Sequence, residues 1–250
     1  MKQGFVKVAS ATPRIRVADP VYNAQVICEQ AKEAAEHGAK IVVFPELCIT
    51  GYTCNDLFLQ ELLLEKAKEA LLTIAEETGQ LETLFLVGLP VDKDGRLYNV
   101  AAVLYRGRIL GMIPKKNIPM YAEFYEGRHF TPGEETVTEY RLGKQVIPFG
   151  SNLLFRCEEL PELILGCELC EDLWVAEPPS TSHALMGATV IANLSASNET
   201  VSKDDYRTLL VKASSARLLC GYIYTSAGEG ESTQDLVFGG HDLIAENGTL

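Results

Sequence analysis

Three short segments of the chain each release one chemically able side chain from a strand or tight turn into a polar stretch. They are Glu46 in VVFPELCITGY, Lys115 in MIPKKNIPMYAEFYE and Cys170 in LILGCELCEDLW. A carboxylate, an ammonium and a thiol together can split an amide. A thiol of ordinary pKa, about 8.5, is only a few per cent thiolate near neutrality, so it needs a base and a neighbouring cation. Glu46 can take the proton, and Lys115 can stabilise both the thiolate and the oxyanion that forms when sulfur attacks a carbonyl. Each residue alone also has an ordinary structural account: a buried cysteine, a solvated glutamate after a proline, a surface lysine pair.

Other chemistries fit less well. Of the four histidines, His37 falls at a helix end and His241 near the last strand. Position leaves His129 and His183 open, but a Cys–His pair would leave the Glu and Lys placements unexplained. Cys167 and Cys170 form a C-x-x-C, yet no second such pair or nearby His pair completes a metal site, and Cys167 lies inside an apolar run. Neither a redox pair nor a metal is expected.

The elements that must position these residues are readable from periodicity. Phe5–Ala9 alternates like a strand, and Asp19-Pro20 to Gly38 reads as a capped helix with Ala24, Ile27, Ala31 and Ala34 on one face. Ile41–Phe44 follows as a buried strand, which completes a β-α-β unit. A second helix is expected from Asn55 or Asp56 to Gly79, with Leu59, Leu63, Ala67, Ala70 and Ile74 sharing a face, then a strand at Leu84–Val87. Leu97–Tyr105 and Arg108–Ile113 flank an Arg106-Gly107 hairpin signal, which breaks the β/α alternation. Pro114–Gly133 reads as a polar, aromatic loop and Glu134–Asn152 as an irregular excursion with a short hairpin. The remaining strands are expected at Leu163–Leu165, Thr189–Asn193, Tyr222–Ser226 and from Gly239 to Ala245. A small helix is expected around His183–Met186 and a longer one at Lys203–Cys220. The chain stops just after Asn247-Gly248, a hairpin signal with a returning strand of two residues, which looks like a cut inside a larger protein.

Composition sets further bounds. With 250 residues and 47% hydrophobic content, one α/β domain spanning 1–250 is the simplest count. A net charge of −12 disfavours nucleic acid and anionic membrane as partners. Met1–Ala9 has no signal-like apolar region, no run approaches a membrane span, and seven cysteines without secretory features read as reduced thiols, so a cytoplasmic protein is expected.

FPELCITGY, PKKNIPMYAEFYEGRHF, GCELCEDLW and NLSASNE, in that order, resemble the nitrilase or carbon-nitrogen hydrolase superfamily. GYTCNDLF and CEDLWVAEPPS are more closely similar to the amino-terminal glutaminase domain of glutamine-dependent NAD synthetases. The resemblance implies a four-layer α-β-β-α sandwich and a Glu-Lys-Cys triad, with Glu46 as general base, Lys115 as the lysine and Cys170 as nucleophile. Lys116, adjacent to Lys115, is the alternative for the lysine. Glu126 matches a second acidic residue that supports the lysine, although it also reads as a surface charge. For glutamine recognition the resemblance points to Tyr121, Ser197 and Lys203, the last of which also reads as a solvated start of its helix.

The activity implied is hydrolysis of glutamine to glutamate and ammonia through a cysteine thioester, with Lys115 and the backbone N–H after Cys170 holding the oxyanion. No cofactor or metal is implied for this step. ATP and magnesium belong to a synthetase domain that would use the ammonia, and neither an SGG-type loop nor G-x-x-x-x-G-K-[ST] occurs in these residues. A homo-oligomer is implied by resemblance alone. An amidase for another amide or carbamoyl compound, and a catalytically silent assembly module, are the alternatives.

Overall fold

The computed structural model describes residues 4–250. Its first elements, β1 (Val8–Ser10), α1 (Pro20–Glu36) and β2 (Ile41–Val43), form the expected β-α-β unit. β1 starts later than the alternation from Phe5 suggests, because β2 begins at Ile41 and its register partner is Val8. The Asp19 carboxylate accepts the Tyr22 N–H at 3.1 Å and caps α1, and Gly38 follows it at φ +86°.

The second helix departs from expectation. Tyr52–Leu59 forms a 3-10 segment kinked at Asn55, and α2 (Glu61–Glu77) begins only after an extended Gln60. Leu59 is therefore 64% exposed, and the buried face starts at Leu63. The break falls at Asn55, whose φ of +48° no helix includes, and just ahead of it the Glu231 carboxylate accepts the backbone N–H of Tyr52 at 2.7 Å and of Thr53 at 3.0 Å, which ties the segment to a distant part of the chain.

β3 (Leu84–Lys93), β4 (Arg96–Tyr105) and β5 (Arg108–Pro114) form an antiparallel meander. β3 runs on past the expected Val87, since pairing with β4 overrides the Gly and Pro in its second half. Arg106 and Gly107 both have positive φ, as a two-residue hairpin turn requires. Most of the expected excursion is the hairpin β6 (Thr138–Leu142) and β7 (Gln145–Phe149), which joins the same sheet through β5. The seven strands lie in the order β1-β2-β3-β4-β5-β7-β6.

The rest of the chain is β8 (Phe155–Arg156), β9 (Ile164–Leu169), α3 (Pro179–Leu185), β10 (Val190–Ser195), α4 (Lys203–Leu218), β11 (Gly221–Ser226) and β12 (Leu243–Glu246). These strands form a second sheet in the order β12-β11-β10-β9-β8. β9 extends to Leu169, past the expected Leu165, so Cys170 is the first residue beyond its C-terminal end. α3 begins at Pro179, ahead of the expected His183.

Side-chain parity along the strands decides the layers. Val42, Phe85, Val87, Ala102 and Leu104 pack against α1 and α2, while Ile41, Val43, Leu86, Ala101 and Val103 pack against Leu165, Cys167, Leu169, Ala192 and Leu194 of the second sheet. Ile191, Tyr222 and Tyr224 lie on the outer face of that sheet with Val211 of α4. The result is a four-layer α-β-β-α sandwich. It explains the C-x-x-C, because Cys167 is part of the core between the sheets and Cys170 lies beyond the strand end. Among the described residues, no helix is long and apolar enough to cross a membrane.

Candidate active site

Four strands deliver polar groups from their C-terminal ends to one place, as in α/β sheets generally. After β2, the Pro45-Glu46-Leu47 turn lies against β3 at Gly88, where a Cβ would stand 2.3 Å from Leu47 N and 2.6 Å from Pro45 O. Only glycine allows that approach. The Glu46 N–H reaches across to Ser195 O of the second sheet at 3.3 Å, so the turn is pinned to both sheets. Lys115 follows β5 directly, its N–H bonded to Asn99 O and its C=O to the Gly133 N–H.

The side chains then form a closed, buried cluster. Lys115 Nζ donates to Glu46 Oε1 at 2.7 Å and to Glu126 Oε1 at 2.6 Å. Asn99 Nδ2 donates to Glu46 Oε1 at 2.7 Å and to Glu126 Oε2 at 3.4 Å. The Tyr52 hydroxyl donates to Glu126 at 2.9 Å, and Glu46 Oε2 accepts the Ala196 N–H at 2.9 Å. Glu46 and Lys115 have no exposed surface, and Glu126 is 5% exposed. Burial opposes the charge on Lys115, but the carboxylates of Glu126 and Glu46 outweigh it and hold the ammonium well above the usual lysine range. Burial pushes Glu126 up to about 7, with Lys115 working against that and Glu46 adding to it.

Cys170 opens a 3-10 turn, Cys170–Leu173, at the end of β9 with φ +40°. For a non-glycine residue that conformation costs about 1–3 kcal/mol and persists only when its surroundings impose it. They do so from two sides. The Cys170 N–H donates to Asn193 Oδ1 at 3.2 Å, and the Asp172 carboxylate accepts the Leu169 N–H at 3.0 Å and two bonds from Asn117 at 2.8 Å each. Asn117 lies two residues after Lys115, so the lysine segment and the cysteine turn are tied together. Burial pushes the Cys170 thiol up; the charge of Glu46 adds to this and that of Lys115 opposes it. The resting sulfur is therefore protonated and needs a base to attack.

Beside Cys170 lies a cavity of about 420 Å³ lined by Tyr121, Phe124, Glu171, Trp174, Ser197 and Lys203, among others. The Tyr121 hydroxyl donates to both oxygens of Glu171 at 3.0 and 2.9 Å. Lys203 lies 5.5 Å from the Phe124 ring centroid and 5.2 Å from that of Trp174, with its ammonium on Asn198 Oδ1. Burial pulls its pKa down, and a thiolate at Cys170 would act against that. Ser197 Oγ accepts from the buried Arg207 at 3.2 Å. Ligand-scale space, a cation and a carboxylate thus meet at the sulfur.

All seven residues singled out from the sequence come to this cluster or its cavity. Of the two adjacent lysines, Lys115 is the one in this cluster, whereas Lys116 pairs with Glu135 at the surface. Glu126 is a buried partner of Lys115, and its reading as a surface charge is wrong. The two open histidines are engaged elsewhere, His183 Nε2 with Ser151 O at 3.1 Å and His129 Nε2 with Asp56 at 3.0 Å. Among the described residues, no group of three His, Cys, Asp or Glu could hold a metal ion. Sequence reasoning missed Tyr52, Asn99, Asp172 and Asn193. The available signal was polarity out of place, an Asn inside the apolar runs LYNVAAVLY and VIANL.

Comparison with known proteins gives a consistent family. The carbon-nitrogen hydrolase family model matches residues 7–246. A glutamine-dependent NAD(+) synthetase from Mycobacterium tuberculosis is 43% identical over 249 residues, covering 100% of this chain and 37% of that protein. The chain thus spans little more than a third of that relative. The crystal structure of a glutamine-dependent NAD(+) synthetase from Cytophaga hutchinsonii superimposes with a TM-score of 0.88 at 29% identity, over 98% of this chain and 39% of that one. An amidase from Nesterenkonia sp. shares the fold with a TM-score of 0.75 at 20% identity, over 99% of this chain and 85% of that one.

Proposed function

This chain belongs to the carbon-nitrogen hydrolase family, and we propose that it hydrolyses the side-chain amide of glutamine to glutamate and ammonia through a thioester on Cys170. The observation that carries the reading is the cavity of about 420 Å³ that Cys170 lines together with Lys203 and Glu171, a thiol beside a cation and a carboxylate. An α-amino acid brings a carboxylate and an ammonium to such a pair, and its side-chain amide then reaches the sulfur.

In the first half-reaction Glu46 takes the thiol proton and sulfur bonds to the amide carbon, with the carbonyl electrons moving to oxygen. The Lys115 ammonium and the Glu171 N–H, which has no intrahelical partner at the start of its turn, hold the oxyanion. The proton on Glu46 passes to nitrogen, the C–N bond breaks and ammonia leaves. In the second half-reaction Glu46 deprotonates water, the resulting hydroxide adds to the thioester, the C–S bond breaks and the thiol recovers its proton from Glu46. Glu126 keeps Lys115 charged and in place throughout. Lys115 fills the cation role, so the step calls for no metal.

The relatives supply the context for the product. Because they are glutamine-dependent NAD(+) synthetases of which this chain spans 37%, the ammonia is read as passing to a synthetase domain of a longer protein, where ATP and magnesium would be used. Seven unpaired cysteines agree with a reducing, cytoplasmic setting, and a homo-oligomeric assembly belongs to the same reading. Ammonia release across a panel of glutamine, asparagine, carbamoyl compounds, simple amides and nitriles tests it. Glutamine should be strongly preferred and Cys170→Ala inactive; preference for another amide would overturn the substrate.

A further inference from the structure

Among the buried polar side chains on the outer face of the second sheet are three, linked by hydrogen bonds, that the reaction does not use: Glu168, Asn193 and Tyr222. Glu168 and Asn193 are direct cross-strand partners on β9 and β10, and Tyr222 reaches them from β11. Glu168 accepts on both oxygens, from the Ser180 N–H at 2.8 Å on Oε2 and from the Tyr222 hydroxyl on Oε1. Tyr222 in turn accepts Asn193 Nδ2 at 3.2 Å. Asn193 Oδ1 accepts the Cys170 N–H at 3.2 Å and the Ser195 hydroxyl at 2.7 Å.

The order of donors along this chain is set from its Glu168 end. The Ser180 N–H can only donate to Oε2, and when Glu168 is ionised Oε1 has no proton to give, so Tyr222 donates to it. The tyrosine oxygen can then only accept, which requires the amide nitrogen of Asn193 and turns the amide oxygen toward Cys170. Burying a carboxylate without a cation is costly, and the charge that bears on Glu168 is the like charge of Asp172. Packing alone gives no reason for it, whereas delivery of an oriented acceptor to the left-handed cysteine does.

We infer that Glu168 and Tyr222 are positioning residues for Cys170: acting through Asn193, they lock an acceptor onto its backbone N–H and hold the turn that brings the thiol beside Glu46 and Lys115. This rests on Cys170 being the nucleophile. Neither residue touches the substrate cavity, so their loss should appear in kcat and in thiol reactivity, with glutamine binding spared.

The test is to compare Tyr222→Phe, Glu168→Gln and the double variant for kcat, KM for glutamine and the rate of Cys170 alkylation by iodoacetamide. Each single change should lower kcat and alkylation by about tenfold with KM within about twofold, since a small misplacement of a reacting group is enough for that. The double variant should be no worse than the worse single, because links in series are lost once. Rates within about twofold of wild type, or single effects that multiply in the double variant, would overturn the inference. Should Glu168→Gln not fold, Tyr222→Phe, which removes one oxygen, decides alone. Iodoacetamide modifies the thiol whatever the natural amide is. A wild type that does not hydrolyse glutamine therefore refutes the substrate reading, while the alkylation rates still decide this one.

Discussion

Lys115 stands between two carboxylates, and the amide of Asn99 is the neutral group that bonds to both of them. One cation against two anions is a balance that a further charge would upset. Asn99→Asp adds a third carboxyl to the cluster and should raise the proton affinity of Glu126 further. The acidic limb of the pH–rate profile should then move to higher pH, with activity at pH 7 falling and partly recovering above it; an unmoved limb would contradict the electrostatic reading. Glu46, Lys115 and Cys170 could be picked out in the sequence because each stands within three residues of the end of an apolar strand and carries a group able to take part in amide cleavage. Asn99 was not, since one amide within an apolar run says nothing about the carboxylates that the fold brings to it. Lys115 was preferred to Lys116 on resemblance, and the fold places them apart, Lys115 buried between two carboxylates and Lys116 paired with Glu135.

Turns carry the precision of the site. The Pro45–Leu47 turn can lie on β3 only because Gly88 has no side chain, and the backbone atoms it would meet cannot rotate away. Gly88→Ala should therefore push Glu46 off Lys115, lowering stability by about 1–3 kcal/mol in denaturant unfolding. The kcat should fall with it, and an Ala variant with normal stability and normal turnover would show that the turn is freer than the packing indicates. The helices α1 and α4 and the Arg106-Gly107 hairpin were readable because caps, periodicity and turn residues agree there. The start of α2 was not, because the segment ahead of it is held at Tyr52 and Thr53 by Glu231, 179 residues from Tyr52, and breaks at Asn55, a tertiary tie that local propensity does not show. That detour is functional in form: it leaves Tyr52 facing Glu126.

Taken as one body, the protein keeps several carboxyls in its interior, and its sequence as a whole carries a net charge of −12. Burial pushes both Glu126 and Glu168 up to about 7. A folded-state pKa raised above the unfolded value of about 4.3 favours the protonated form in the fold. The stability this contributes is complete below the unfolded value and is lost as pH rises through about 7. Surface self-repulsion acts in the same direction. The melting midpoint should therefore be higher near pH 6 than near pH 8, with added salt recovering only the surface part; a midpoint that rises over this interval would contradict the burial of these groups. The α/β class and its broken alternation were visible in strand and helix periodicity. The four layers came from family resemblance, because parity along a strand says which residues share a face and leaves open what covers it.

The central claim is that Cys170 becomes acylated by the glutamine side chain and that Glu46 drives the steps before and after. Glu46→Gln incubated with glutamine, quenched in acid and examined by mass spectrometry of the Cys170 peptide tests it directly. General-base loss should slow turnover by roughly 10²–10⁴-fold. Because that loss slows acylation as well as hydrolysis, a γ-glutamyl thioester should be found on Cys170 of the wild type quenched during turnover, form far more slowly in Glu46→Gln and be absent from Cys170→Ala. Glutamine turnover that persists in Cys170→Ala, or a glutamyl group attached to any other residue, would contradict the account.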